Sequence, residues 1–228
     1  MSATLPDIEI CVFDAYGTLF DFNSAVARHR AAIGPSADAL SELWRQKQIQ
    51  YTWLRNGMGA YAKFWQVTGE ALDHCLAAHK ITDASVREKL MGAYLALSPF
   101  DEVPETLKRL KAAGLRLAIL SNGNPEMLDP MVAASGLAGH FEVVLSVDEA
   151  RVFKPDPSVY ELVGKRCNVL PENVCFLSSN CWDAHGAAHF GFRTVWVNRA
   201  GAPDDNLPGK PVAEVRDLSR LPALLGVS

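Results

Sequence analysis

Five short apolar runs, at residues 8–13, 115–120, 142–146, 174–178 and 194–197, stand out along the chain. Their apolar residues follow one another instead of alternating with polar ones, the mark of strands covered on both faces. The stretches 103–113, 125–135, 157–167 and 183–190 between them carry helical spacing. Gly114, Gly136 and Gly191 each follow such a stretch, where a helix C-terminal cap is expected. Strand and helix in turn predict an α/β fold, a doubly wound parallel sheet with right-handed crossovers.

One connection breaks the rhythm. From residue 21 to about 98 there is no buried-strand run, only the spacing of helices. In "ALSELWRQKQIQYTWLR" the residues Leu40, Leu43, Trp44, Lys47, Tyr51 and Leu54 recur at threes and fours and predict one largely apolar face. Tyr61, Phe64, Trp65 and Leu72 suggest a second helix and residues 86–97 a third. The chain therefore divides into a core, 1–20 and 99–228, and an inserted helical cap or lid, 21–98, with "LSPFDEVPE" leading back to the core. Repeats and low-complexity tracts are absent.

Composition narrows the class. With 228 residues, 49% apolar and 21% charged, the chain has enough length and apolar content for one sizeable core with an insert. A net charge of −4 speaks against a general nucleic-acid or acidic-membrane binder and leaves room for a small anionic substrate. The five cysteines, Cys11, Cys75, Cys167, Cys175 and Cys181, are odd in number and form no CxxC pair. They read as reduced thiols of a cytoplasmic protein. No basic start with a long apolar stretch marks a signal peptide, and no run reaches membrane-spanning length.

The unusual polar residues fall where ligands bind in open parallel sheets, beyond the carboxyl ends of the strands. Asp14 ends the first run and Ser121-Asn122-Gly123 the second. Lys154, in "VFKPD", follows the third, and "SSNCWD" (178–183) ends the fourth. Singly, each has an ordinary reading: Asp14 as a turn cap, Ser121 as a helix cap, Lys154 as a surface lysine. Four coincident ends point instead to an active site.

In this order "DAYGT", "SNG", "KPD" ahead of Tyr160, and "SSNCWD" resemble the four signature motifs of the haloacid dehalogenase superfamily. More narrowly they resemble its L-2-haloacid (type II) dehalogenases. The likeness extends through "LWRQKQIQYTWLR" and "HFGFRTVWVNR" over nearly the whole chain. It implies a Rossmann-like core of strand order 5-4-1-2-3, a helical cap after the first strand, a homodimer, and no metal or other cofactor.

The residues themselves favour carbon–halogen chemistry. Superfamily phosphatases carry a second aspartate two residues after the nucleophile, which protonates the leaving alcohol, and hold Mg²⁺ with further acids. Here Tyr16 stands at that position, and Ser179 and Asn180 occupy ground where phosphatases often have metal ligands. A halide needs neither proton nor Mg²⁺ to depart. Asp14 and Asp183 alone still allow a Mg²⁺-dependent phosphatase as the alternative, and a catalytically silent binding protein is a more remote one.

The resemblance assigns roles. Asp14 attacks the halogen-bearing carbon of a small 2-halo carboxylate, giving an aspartyl ester that water then hydrolyses, so an (S)-2-haloacid yields an (R)-2-hydroxy acid. Lys154 and Ser178 lie close to the nucleophile, Asp183 and Asn180 position the water, and Tyr160 orients Lys154. Thr18, Ser121 and Asn122 hold the nucleophile and the substrate carboxylate, with Ala15 and Tyr16 in the carboxylate-binding set. Arg45 accepts the halide with help from Asn122. Arg45, Ile49 and Trp53 recur at four-residue spacing, so one helical flank mixes a cation with apolar groups. Tyr16, Gln46, Ile49, Phe64 and Trp182 resemble the apolar wall around the substrate; for Ile49 and Phe64, core packing is an equal rival. His185 departs from the small residue expected after "WDA" and reads as a surface histidine on a first helical turn or as an alteration of the pocket.

Overall fold

Each of the five apolar runs forms a strand in the computed structural model, which describes residues 4–227. Residues 1–3 and 228, included in the core assignment above, lie outside the described residues. The first half of the chain runs β1 (Ile10–Phe13), β2 (Phe20–Asp21), α1 (Asn23–Arg28), α2 (Arg30–Ile33), α3 (Ala37–Met58), α4 (Phe64–Ala78) and α5 (Ala84–Tyr94). It continues through β3 (Ser98–Pro99), α6 (Val103–Ala112), β4 (Arg116–Ser121), α7 (Pro125–Ala134), β5 (Val143–Ser146) and α8 (Pro157–Cys167). The last elements are β6 (Val174–Ser178), α9 (Cys181–Phe190), β7 (Arg193–Val197), β8 (Ala213–Val215) and α10 (Leu221–Leu224).

The main sheet is parallel throughout, in the order β5-β4-β1-β6-β7-β8. Counting only the five strands expected, this is 5-4-1-2-3 read from the β7 side, with β8 added at the edge. β1 lies at the centre, its Phe13 opposite Ile119 of β4 and Leu177 of β6, so Asp14, Ser121 and Ser178 emerge at one end. All four β1 residues are fully buried. Burying each large apolar side chain there is worth ~1.5–3 kcal/mol, which explains a central strand with no polar position at all. Gly114, Gly136 and Gly191 take positive φ after α6, α7 and α9, as the caps required.

The excursion between β1 and α6 is helical, with one small exception. β2 and β3 pair antiparallel, Phe20 with Pro99 and Asp21 with Ser98, and form the stem through which the chain leaves and returns. α3 differs from its expected face. Its buried stripe is Leu40, Trp44, Gln48 and Thr52, with Ile49 beside it, whereas Leu54 is exposed and Lys47 half-buried. The reason is hydrogen bonding: Gln48 and Thr52 are buried because Thr68 and the Ile49 carbonyl satisfy them. Among the described residues no helix is long and apolar enough to cross a membrane.

Candidate active site

The turn after β1 is built around a lone carboxylate. The Asp14 N–H donates to the Leu177 carbonyl (2.9 Å), locking the turn onto β6. Gly17 follows at φ +88°, and a Cβ there would lie 2.9 Å from Ser179 Oγ, so no other residue fits that bend comfortably. Thr18 Oγ1 then reaches back and donates to Asp14 Oδ2 at 3.1 Å, while accepting the Ser179 N–H at 2.8 Å. Arg199, just past β7, braces the turn from outside. Its guanidinium donates to the carbonyls of Gly17 (3.2 Å) and Thr18 (2.8 Å) and pairs with Glu102 at 2.6 Å.

Lys154 is the hub of the site. Only 1% exposed, its Nζ lies 3.1 Å from Asp14 Oδ1 and 3.0 Å from Asp183 Oδ2. Burial opposes its charge, but the two carboxylates outweigh that cost and raise its pKa above the ordinary lysine value. Burial likewise lifts the Asp183 pKa, against the pull of the Lys154 charge. The Lys154 ammonium thus bridges one oxygen of each carboxylate and supplies there the positive charge that a divalent ion would otherwise bring. The loop carrying Lys154 is clamped from both sides: the Lys154 N–H donates to Asn122 Oδ1 (3.1 Å), and Asn56 of α3 bonds both the N–H (2.9 Å) and the carbonyl (2.7 Å) of Phe153.

Tyr160 meets Lys154 through a shared carboxylate: its hydroxyl donates to Asp183 Oδ1 at 2.8 Å, while Lys154 Nζ donates to Asp183 Oδ2. With Lys154 on Oδ2 and the Tyr160 hydroxyl on Oδ1, the buried charge of Asp183 is compensated on both carboxylate oxygens.

Arg45 enters from α3. Its guanidinium donates to Asn180 Oδ1 (3.0 Å), the Tyr16 carbonyl (3.3 Å) and Gln48 Oε1 (2.7 Å). Asn180 in turn donates from Nδ2 to Asp14 Oδ2 at 3.0 Å, so a single side-chain amide separates the arginine from the aspartate. Gln48 also donates to Thr68 Oγ1 (2.7 Å) and accepts from the Tyr94 hydroxyl (3.1 Å). Gln46, expected in the pocket wall, is exposed; the buried glutamine of "RQKQ" is Gln48, three residues from Arg45 and hence on its face.

The remaining candidates divide. Tyr16 is buried, stacks on Tyr94 (centroids 5.4 Å apart) and meets Phe64 at 5.6 Å. Among the described residues its hydroxyl has no hydrogen-bond partner, and burial raises its pKa well above the ordinary tyrosine value, so it stays protonated. Ile49 is buried, while Trp182 is half-buried and set edge-on to Trp53 at 5.3 Å. Ser121 and Ser178 are fully buried and accept the N–H groups of Gly123 (3.1 Å) and Asn180 (3.2 Å), which leaves their hydroxyl protons free. Ala15 is buried beside Asp14, and no carbonyl among the described residues accepts the N–H of Ala15 or Tyr16. His185 is not a surface residue. It is 1% exposed and faces the Leu207 carbonyl (3.0 Å) and Asp204 (2.7 Å), away from the Asp14 cluster.

A model of the haloacid dehalogenase-like hydrolases matches residues 8–191, which hold all four motif segments. The chain belongs to that family. Within the haloacid dehalogenase-like hydrolases it is similar to an (S)-2-haloacid dehalogenase of Burkholderia cepacia, with 47% identity over 96% of this chain and 95% of that one. A solved dehalogenase structure superposes with a TM-score of 0.95 at 46% identity, covering 96% of this chain and 98% of the other. The L-2-haloacid dehalogenase of Xanthobacter autotrophicus with chloropropionic acid covalently bound gives a TM-score of 0.89 at 38% identity, over 96% and 98% of the two chains.

Proposed function

We propose that the chain is an (S)-2-haloacid dehalogenase that hydrolyses short 2-halo carboxylates, such as 2-chloropropionate and haloacetates, to 2-hydroxy acids and halide. The observation that carries this reading is the setting of Asp14: a lone carboxylate held only by nitrogen and hydroxyl donors, from Lys154, Thr18 and Asn180. Such a group is fixed in direction and free to form a bond to carbon. The covalent chloropropionate adduct named for the Xanthobacter enzyme supports the same chemistry.

In the first step one Asp14 oxygen attacks C2 from the side opposite the halogen. The carbon–halogen bond breaks with its electron pair, halide leaves, and C2 inverts. Arg45 and Asn122 receive the halide. In the second step water, positioned by Asn180 and Asp183, attacks the carbonyl carbon of the ester. The (R)-2-hydroxy acid departs, Asp14 is regenerated and one proton is released. Whichever oxygen attacked, its partner remains held by the donors around Asp14, which stabilise charge as it builds on the ester carbonyl.

Charge counting supports the assignment of neutral donors. Asp14, Asp183 and the substrate carboxylate bring three negative charges, against two positive charges from Lys154 and Arg45. The free N–H groups of Ala15 and Tyr16, the Ser121 hydroxyl and the Asn122 amide supply the balance at the substrate carboxylate, with the unpaired Tyr16 hydroxyl beside them. Tyr16, Ile49, Phe64 and Trp182 line the alkyl side. The phosphatase reading fares worse: at its acid position stands Tyr16, whose buried phenol holds its proton far beyond neutral pH.

Helices α1–α5 act as the cap. Arg45 and Asn56 reach from it into the core, as does the Trp65 N–H, which donates to Asn124 at 2.9 Å. Trp53, Leu54 and Met58, exposed on the far end of α3, favour a homodimer that covers them. Five free cysteines, four of them buried, suit a cytoplasmic enzyme. The test is release of halide and acid from (S)-2-chloropropionate, chloroacetate and longer 2-halo acids, with a metal chelator present. Release that persists with chelator, and spares the (R) enantiomer, is expected. Absence of release from every short 2-halo acid, or phosphate ester hydrolysis that stops on chelation, overturns the proposal.

A further inference from the structure

His185, buried on α9, lies between two acceptors from the loop after β7. The Leu207 carbonyl, 3.0 Å from Nδ1, can only accept, so Nδ1 carries a proton. Nε2 then faces Asp204 Oδ1 at 2.7 Å. That is hydrogen-bond distance, so the pair would have to open by several tenths of an ångström to admit a metal ion. One helical turn earlier on the same face of α9, Cys181 points its Sγ to within 3.9 Å of the same Asp204 oxygen. The Sγ, Nε2 and carboxylate ligand atoms all lie within 4.8 Å of one another.

The surroundings are built to hold this trio. Lys210 binds the other Asp204 oxygen at 2.9 Å, turning Oδ1 inward. Asp204 Oδ1 also accepts the Asn206 N–H at 3.1 Å, which fixes the loop between β7 and β8. Gly209, at φ +76°, lets that loop press onto α9: a Cβ there would come within 2.3 Å of the His189 nitrogen and 2.5 Å of the His185 carbonyl. A ligating histidine typically donates its other ring N–H to a backbone carbonyl, which fixes tautomer and ring direction, and Leu207 does this for His185.

We propose that Cys181, His185 and Asp204 form a site for one zinc-class transition-metal ion, separate from the Asp14 site. The mixed sulfur, nitrogen and oxygen donors suit a borderline-soft divalent ion, and three protein ligands leave a fourth, water-bearing position. Tetrahedral zinc with ordinary bond lengths sets its ligand atoms about 3.3–3.6 Å apart. The contacts of 2.7 and 3.9 Å straddle that range and the remaining separation lies within 4.8 Å, so side-chain shifts of up to about an ångström close the site. On binding, the Cys181 thiol proton, and any proton on Nε2, pass to solvent.

Metal-free protein titrated with zinc chloride against a chromophoric chelator tests this. One equivalent should bind, and affinity should fall ~10-fold or more in Cys181→Ser and in Asp204→Asn. Both positions are partly or largely exposed, so these variants should fold even if His185→Ala does not. Binding should persist in Asp14→Asn, which separates this site from the proposed active site. Cobalt(II) in the same protein should give a thiolate-to-metal absorption band, lost in Cys181→Ser. No bound equivalent, unchanged affinity in Cys181→Ser, or a cobalt spectrum without sulfur ligation would overturn the proposal and leave a protonated His185–Asp204 ion pair alone.

Discussion

Replacing Lys154 by methionine keeps much of the buried stem and removes the charge that neutralises two carboxylates. In the native protein the ammonium lies 3.1 Å from Asp14 and 3.0 Å from Asp183, so those oxygens stand no more than about 6 Å apart. At an effective dielectric near 20, two unit charges ~6 Å apart repel by ~3 kcal/mol. Removing one partner from a buried ion pair typically costs ~3–5 kcal/mol, and Asp183 is fully buried. Lys154→Met should therefore lose ~3–5 kcal/mol of stability, a fall in Tm of roughly 6–20 °C for a chain of this size. Adding Asp183→Asn removes the uncompensated second charge, and the double variant should regain at least about half of the loss. Urea unfolding at pH 7 and fixed protein concentration measures both, with unchanged m-values checking that a common transition is compared. A Lys154→Met cost below ~1 kcal/mol, or a double variant no better than the single one, would refute the reasoning that this lysine balances two buried carboxylates.

Two further outcomes follow from the same geometry. Arg45→Ala should reduce kcat for chloropropionate by ~10²–10³-fold while changing unfolding stability by less than ~1 kcal/mol, because its head group acts on the leaving halide more than on the core; stopped-flow halide release and urea unfolding separate the two effects. Activity should persist into the alkaline range. The Lys154 pKa is raised on folding, so its stabilising contribution is fully present below the ordinary lysine pKa and is lost as pH rises through the higher folded value. A pH–rate profile that falls below pH 9 with a group identified as Lys154 would contradict this.

Most of the main sheet was legible because buried parallel strands leave continuous apolar runs, and β1, β4, β5, β6 and β7 all did so. β2, β3 and β8 left no such trace: two or three residues with mixed polarity carry no periodicity. The face of α3 was misread because hydrophobicity ignores polar side chains whose hydrogen bonds are satisfied inside, as at Gln48 and Thr52. Asp14, Ser121, Lys154 and Ser178 could be found from strand ends alone, since each lies where a strand meets its loop. Arg199 could not, although it braces the Asp14 turn, because its partners are backbone carbonyls nearly the length of the chain away. His185 was misplaced for a related reason: the loop that buries it, around Asp204, Leu207 and Gly209, is rich in Gly, Pro and Asp and looks like solvent-exposed chain in sequence.

The most direct measurement is a single turnover of excess enzyme on (S)-2-chloropropionate in ¹⁸O-water, with mass spectrometry of the product and of the peptide bearing Asp14. If an Asp14 oxygen forms the bond to carbon, the lactate from this first turnover carries unlabelled oxygen and the label is found in the Asp14 carboxylate. Label in that first lactate, with an unlabelled Asp14 peptide, would mean that water attacks the substrate carbon directly and that Asp14 is not the nucleophile.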